Sequence, residues 1–126
     1  MNIALWIVAG LMAATFLASG VQKMVQSRKK LIDGGYGWAE DLSDGSVRAI
    51  GLLEVLGAIG LVLPALLDIA PVLVPVAATG LVLLMGGAIV THLRRKEANA
   101  IAVPLTLLVL VAFVAVGRFG LEPFTN

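Results

Sequence analysis

The sequence predicts an all-α, polytopic membrane four-helix bundle with both termini outside, and three observations predict it. The chain is 60% apolar and only 13% charged over 126 residues, with a mean hydropathy of +1.01, a balance that leaves too little polar surface for a hydrated exterior. Its apolar residues fall into four runs, about Ile3 to Val21, Ala49 to Leu67, Ala70 to Thr91 and Ala98 to Gly117. Each is close to the ~20 residues a helix needs to cross ~30 Å of hydrocarbon. The charges gather in the connections between the runs. Because the runs are continuous and lack strand-period alternation, helices are expected, with every backbone group satisfied inside its own segment. One domain, residues 1–126, accounts for the whole chain.

The first span contains "LASG", which resembles a signal-peptide cleavage region, yet no Lys or Arg precedes its apolar run and Gln22 and Lys23 follow directly. It is therefore read as a retained helix. The first connection, roughly residues 24 to 47, is the one sizeable soluble piece. Its "DGGYGWAEDLSDGS" is rich in turn formers, Tyr36 and Trp38 are expected at headgroup level as interfacial anchors, and Ser43, Asp44 or Ser46 can cap the second span. The second connection, "DIAP", places Asp68 before Pro71, an order that suits a helix start. Pro75 falls in the first turns of the third span, where few backbone bonds are lost. Pro104 leaves two courses open: a fourth span bent there, or one that starts later.

Lys23, Arg28, Lys29, Lys30 and Arg48 border or lie in the first connection, Arg94, Arg95 and Lys96 lie in the third, and only Arg118 falls on the opposite side. The positive-inside rule then places the first and third connections of this multi-pass chain in the cytoplasm, with both termini and the short second connection outside. The "SRKK" and "LRRKE" clusters set that orientation, and the alternative is that they also hold anionic lipid headgroups. A net charge of +1 does not point to nucleic acid. The absence of cysteine removes disulfides, thiol nucleophiles and cysteine-ligated clusters, so any redox role is indirect or carried by a bound molecule. One His, no Cys and few carboxylates do not suit a metal site.

Glu54 is the only charge in "GLLEVLGAIGLVLPALL". An acid at the centre of a membrane helix costs on the order of 2.5–3.5 kcal/mol, so it is expected to face the bundle. In an up-down arrangement the second span packs between the first and the third, which end at Gln22 and Lys23 and at Thr91 and His92. A buried polar cluster of Lys23, Glu54 and His92, with Gln22 and Thr91 nearby, follows at the cytoplasmic end. Gly51, Glu54 and Ala58 share one helix face, and Gly80, Leu84, Gly87 and Thr91 form a stripe on the third span. The six glycines of the second and third spans argue for tight helix packing. At the outer end Asp68 and Arg118 are a candidate pair, although their spans stand diagonally in a square bundle.

In this order, "LASGVQKM", "GLLEVLGAIGLVLP", "AATGLVLLMGGAIVTHLRRKE" and "VAVGR" resemble the DoxX-like family of small four-helix membrane proteins. The resemblance covers most of the chain, and Lys23, Glu54, His92 and Arg118 match its recurring polar positions. It implies a bacterial membrane protein whose better-known relatives associate with oxidoreductases, including thiosulfate:quinone oxidoreductase and thiol-homeostasis assemblies. It identifies no catalytic residue and no cofactor.

Three functions remain in view. The leading one is a non-catalytic membrane subunit or scaffold in contact with the lipid bilayer, associated with an oxidoreductase or envelope complex or forming a homo-oligomer, with a quinone or lipid contact near Glu54. The second is a small proton-coupled transporter using Glu54. The third is a lipid-modifying enzyme with Glu54 and His92 as acid and base.

Overall fold

The computed structural model describes residues 1–34 and 37–121. Within them lie α1 (Asn2–Val25), a short α2 (Arg28–Asp33), a 3₁₀ turn (Gly37–Asp41), α3 (Asp44–Leu66), α4 (Leu73–Arg94), a second 3₁₀ turn (Ala98–Ile101), α5 (Ala102–Val116) and a closing π turn (Gly117–Leu121). Four stretches, Asn2–Val25, Asp44–Leu66, Leu73–Arg94 and Asn99–Gly120, are long and apolar enough to cross a membrane. The protein is thus an all-α membrane four-helix bundle.

Capping and proline chemistry set where these helices begin. Ser43 is the N-cap of α3 and its hydroxyl accepts from the Ser46 N–H at 3.1 Å, so α3 starts about one turn before the apolar run. The turn into α4 instead uses left-handed backbone at Asp68 (φ 54) and Ala70 (φ 48). Asp68 does not cap that helix: Val72 occupies the N-cap and offers no side-chain bond. The first-turn N–H groups of Leu73 and Val74 reach the carbonyls of Ala70 and Pro71 at 2.9 and 3.0 Å. Pro75 and Pro104 are each the third residue of their helix, where the N–H they lack would have had no partner within the helix. Of the two courses open at Pro104, the chain takes the later start, a 3₁₀ turn followed by α5 from Ala102.

Around the bundle the order is α1, α3, α4, α5, with α5 returning to α1. Phe16, Leu61, Leu81, Val111 and Val114 form the centre of the core, while Ile3, Ile7, Leu11 and Leu83 are among the large apolar side chains left facing outward, as a lipid-solvated surface requires. Glycines decide which helices come closest. A Cβ at Gly20 would stand 2.6 Å from the Gly51 carbonyl oxygen, and one at Gly51 would stand 2.7 Å from the Gly20 oxygen, so α1 and α3 cross backbone to backbone. Gly57 admits Leu81, and Gly60 admits Ala77, in the α3/α4 contact.

The α4 glycines are a correction. A Cβ at Gly80, Gly86 or Gly87 meets nothing within 4 Å, so the Gly80/Gly87 stripe is a surface left open rather than a tight seam. Gly87 borders the open space described below.

Between α1 and α3 the connection folds back as a cap. Leu31, Ala39 and Val47 form a small separate core, and the Arg28 guanidinium donates to the Ala39 and Glu40 carbonyls at 2.9 and 3.1 Å. Tyr36, expected as an interfacial anchor, lies outside the described residues.

Replacing Gly51 by Ala should therefore destabilise the protein by about 1–3 kcal/mol, because backbone must move to admit the methyl group. Gly86→Ala should be neutral or stabilising by up to about 1 kcal/mol. Thermal unfolding in detergent, followed by circular dichroism, compares the two.

Candidate functional site

Glu54 sits ten residues into α3, about 15 Å along its axis from Asp44, on the inward face with Val47, Gly51, Ala58 and Leu61. Only 2% of it is accessible, and Lys23 is at 6%. The Gly20/Gly51 crossing brings α1 close enough for the Lys23 ammonium to meet both carboxylate oxygens, at 3.0 and 3.1 Å. Ser19, one turn before Lys23 on α1, completes the group: its hydroxyl accepts from Lys23 Nζ at 2.7 Å and donates to Glu54 Oε2 at 3.2 Å. The Trp38 ring, delivered by the cap, lies 5.7 Å from the same ammonium, within cation–π range. Among the described residues no buried side-chain nitrogen or oxygen lacks a partner. That is the condition under which a buried ion pair is tolerable.

The pair faces a cavity of about 510 Å³ lined by residues of all four spanning helices. Its polar side carries Thr15, Ser19, Lys23, Glu54, Thr91 and His92, and its apolar side Leu84, Met85, Ala88, Val103, Pro104 and Leu107. Gly87 borders it as well, so the missing side chain there contributes open volume. Trp38 and Leu42 of the cap line the basic end. Trp38, expected as a headgroup anchor, thus also lines the cavity. The volume falls in the ~300–1,000 Å³ range of small-molecule sites, and apolar walls with a few convergent polar groups suit an amphipathic ligand better than a hydrated ion.

Not every expected member joins this cluster. His92 borders the cavity but does not bond to Glu54; its Nδ1 pairs with Glu97 Oε1 at 3.1 Å, and Arg95 Nε reaches the same oxygen at 3.3 Å. Helix α4 ends at Arg94 and a left-handed Lys96 (φ 59) turns the chain back, which brings Glu97 under His92 while the open cavity separates α4 from α3. The Glu54/His92 couple that acid–base lipid chemistry needs is not assembled. The Thr91 hydroxyl donates to its own helix, to the Gly87 carbonyl at 2.9 Å. Gln22 is half-buried and does not border the cavity. Ser19 was the member that sequence reasoning left out of the cluster; its spacing of four residues before Lys23 is the signal that could have placed it.

At the opposite end Asp68 and Arg118 do not meet. Asp68 is exposed on the turn, whereas Arg118 is 4% accessible and its guanidinium lies 6.0 Å from the Trp6 ring. The π turn directs Arg118 onto the neighbouring α1 instead of across the diagonal to the end of α3.

Fold and site together define a small polytopic membrane protein with a largely apolar cavity, carrying a few polar groups, at the basic end of its bundle. The chain belongs to the DoxX-like family, whose sequence profile matches residues 7–114. Comparison with curated proteins and with solved structures gives no match.

Two consequences can be measured. Glu54→Ala leaves a buried ammonium without its carboxylate, a loss of about 3–5 kcal/mol, whereas the double variant Lys23→Met/Glu54→Leu should recover most of it; chemical unfolding in mixed micelles gives both values. Outside the membrane spans, the hydrogen bond from His92 and the charge of Arg95 hold the Glu97 carboxyl below its ordinary 4.5 despite some desolvation. A lowered folded-state value stabilises above about pH 4.5 and ceases to do so as pH falls through it. The stability gap between the native chain and Glu97→Gln should therefore be present at neutral pH and close on acidification below that point.

Proposed function

We propose that the protein is a non-catalytic integral membrane subunit that holds a quinone or a lipid in the Glu54 cavity and works within an oxidoreductase or envelope assembly, with its basic connections in the cytoplasm of a bacterial cell. One observation carries this reading: a cavity of ligand size at the basic end of the bundle, with a satisfied Lys23–Glu54–Ser19 group on one wall and apolar side chains of α4 and α5 on the other. A redox assembly suits a cysteine-free chain, since the electron-carrying group would belong to a bound molecule or a partner. Family membership supplies the link to oxidoreductases by resemblance. The proton-exchange reading is weaker, because a transported cation would have to displace Lys23 from both oxygens of Glu54.

Extraction from native membranes under mild detergent, with mass spectrometry of co-purifying proteins, lipids and quinones, is the direct test. The native chain should retain one reproducible amphipathic molecule and one or more protein partners, and Glu54→Gln should lose most of the bound molecule. Recovery of the chain alone, with bulk lipid only, would remove the proposal.

A further inference from the structure

The apolar wall of the Glu54 cavity is shared. Leu83 and Leu84 of α4 line that cavity and also line a second hollow of about 480 Å³ between α3 and α4. Leu53, Leu56 and Gly57 of α3 form one bank of this groove, and Ala77, Gly80 and Leu81 of α4 form the other. No polar side chain enters it. The groove exists because α3 and α4 touch at Gly57/Leu81 and Gly60/Ala77, while Gly80 carries nothing to fill the gap and has open space within 4 Å of where its Cβ would be. From Thr91 to Ala77 the two hollows extend about 21 Å along α4, against ~30 Å of hydrocarbon.

The two parts make different chemical demands. In the cavity, Lys23 and Glu54 balance each other at 3.0 Å, and the ammonium is further engaged by Ser19 and Trp38. An anionic head would lie against the Glu54 carboxylate with no uncommitted ammonium to meet it, and a cationic head would face Lys23. A neutral head bearing a hydroxyl can donate to the remaining lone pairs of Glu54 or to the hydroxyl oxygens of Thr15 and Thr91, and a carbonyl can accept from the second nitrogen of His92 when that nitrogen carries a proton, without unpairing either ion. The groove accepts a single apolar chain.

We propose that the ligand is a single-chain amphiphile with an uncharged, hydroxyl- or carbonyl-bearing head, its head in the Glu54 cavity and its chain in the α3/α4 groove. This rests on the cavity being a ligand site, as read above. Since hydrocarbon in the groove resembles hydrocarbon in the bilayer, the groove acts by aligning the chain rather than by a hydrophobic gain. A phospholipid, with two chains and a charged phosphate, fits neither part.

The chain has two tryptophans, so Trp6→Phe leaves Trp38, which lines the cavity, as the sole tryptophan, excited where tyrosine does not absorb. In phospholipid nanodiscs this variant is titrated with decyl-benzoquinone and with benzoquinone lacking the tail, both uncharged quenchers, and the first titration is repeated against dodecanol or dodecyl phosphate as competitor. Decyl-benzoquinone should quench saturably, dodecanol should displace it, and dodecyl phosphate should not. Gly80→Leu should weaken decyl-benzoquinone about tenfold, since the added side chain occupies the path of the tail, and should leave the tail-less compound unchanged. Gly80→Ala should shift the tailed compound in the same direction by less, which covers a Leu variant that folds poorly. Equal displacement by the alcohol and the phosphate would overturn the neutral head. Unchanged affinity of the tailed compound in both Gly80 variants, with saturable quenching retained, would overturn the groove and leave the cavity reading standing. Absence of saturable quenching by either quinone would overturn the cavity reading itself.

Discussion

A carboxylate held out of water in the middle of a membrane helix is the constraint on which the rest of this structure depends. Glu54 is tolerable there only if a cation and a hydrogen-bond donor reach it, and both come from α1, as Lys23 and Ser19. They arrive because α1 and α3 each place a glycine at their crossing, where Gly20 and Gly51 let the two backbones touch. Electrostatics and packing are therefore one device. The glycines make the ion pair reachable, and the ion pair fixes the register in which the glycines meet.

The same device divides the bundle into unlike halves. Between α1 and α3 the packing is as close as backbone allows. Between α3 and α4 it is close at Gly57 and Gly60, and open volume lies beside Leu53, Leu56 and Gly80. The cap covers the basic end: Arg28 ties the 3₁₀ turn through two carbonyls and Trp38 is set against the Lys23 ammonium. The polar group is thus enclosed by protein on the α1, α3 and cap sides and borders a cavity on the sides of α4 and α5.

Much of the fold was legible in the residues. Four apolar runs of the right length, the capping serine before α3 and the first-turn prolines each follow from local physics, and the inward face of Gly51, Glu54 and Ala58 follows from helical periodicity. What was not legible depends on distances between helices. A glycine reads the same in sequence whether a neighbour fills its notch, as at Gly51, or nothing does, as at Gly87. His92 arrives at the expected end of the bundle, but its partner is decided by the turn at Lys96, which returns Glu97 to it. Arg118 is drawn to Trp6 by a π turn that no spacing rule anticipates.

The core also sets a limit to the open volume. Below Glu54 the bundle axis is occupied by Phe16, Leu61, Leu81, Val111 and Val114, all nearly inaccessible, and further along, Leu5 fills the notch at Gly117. On that side the space beside Glu54 is bounded by packed apolar side chains. The Glu54 group thus stands where the open volume ends and the close-packed core begins.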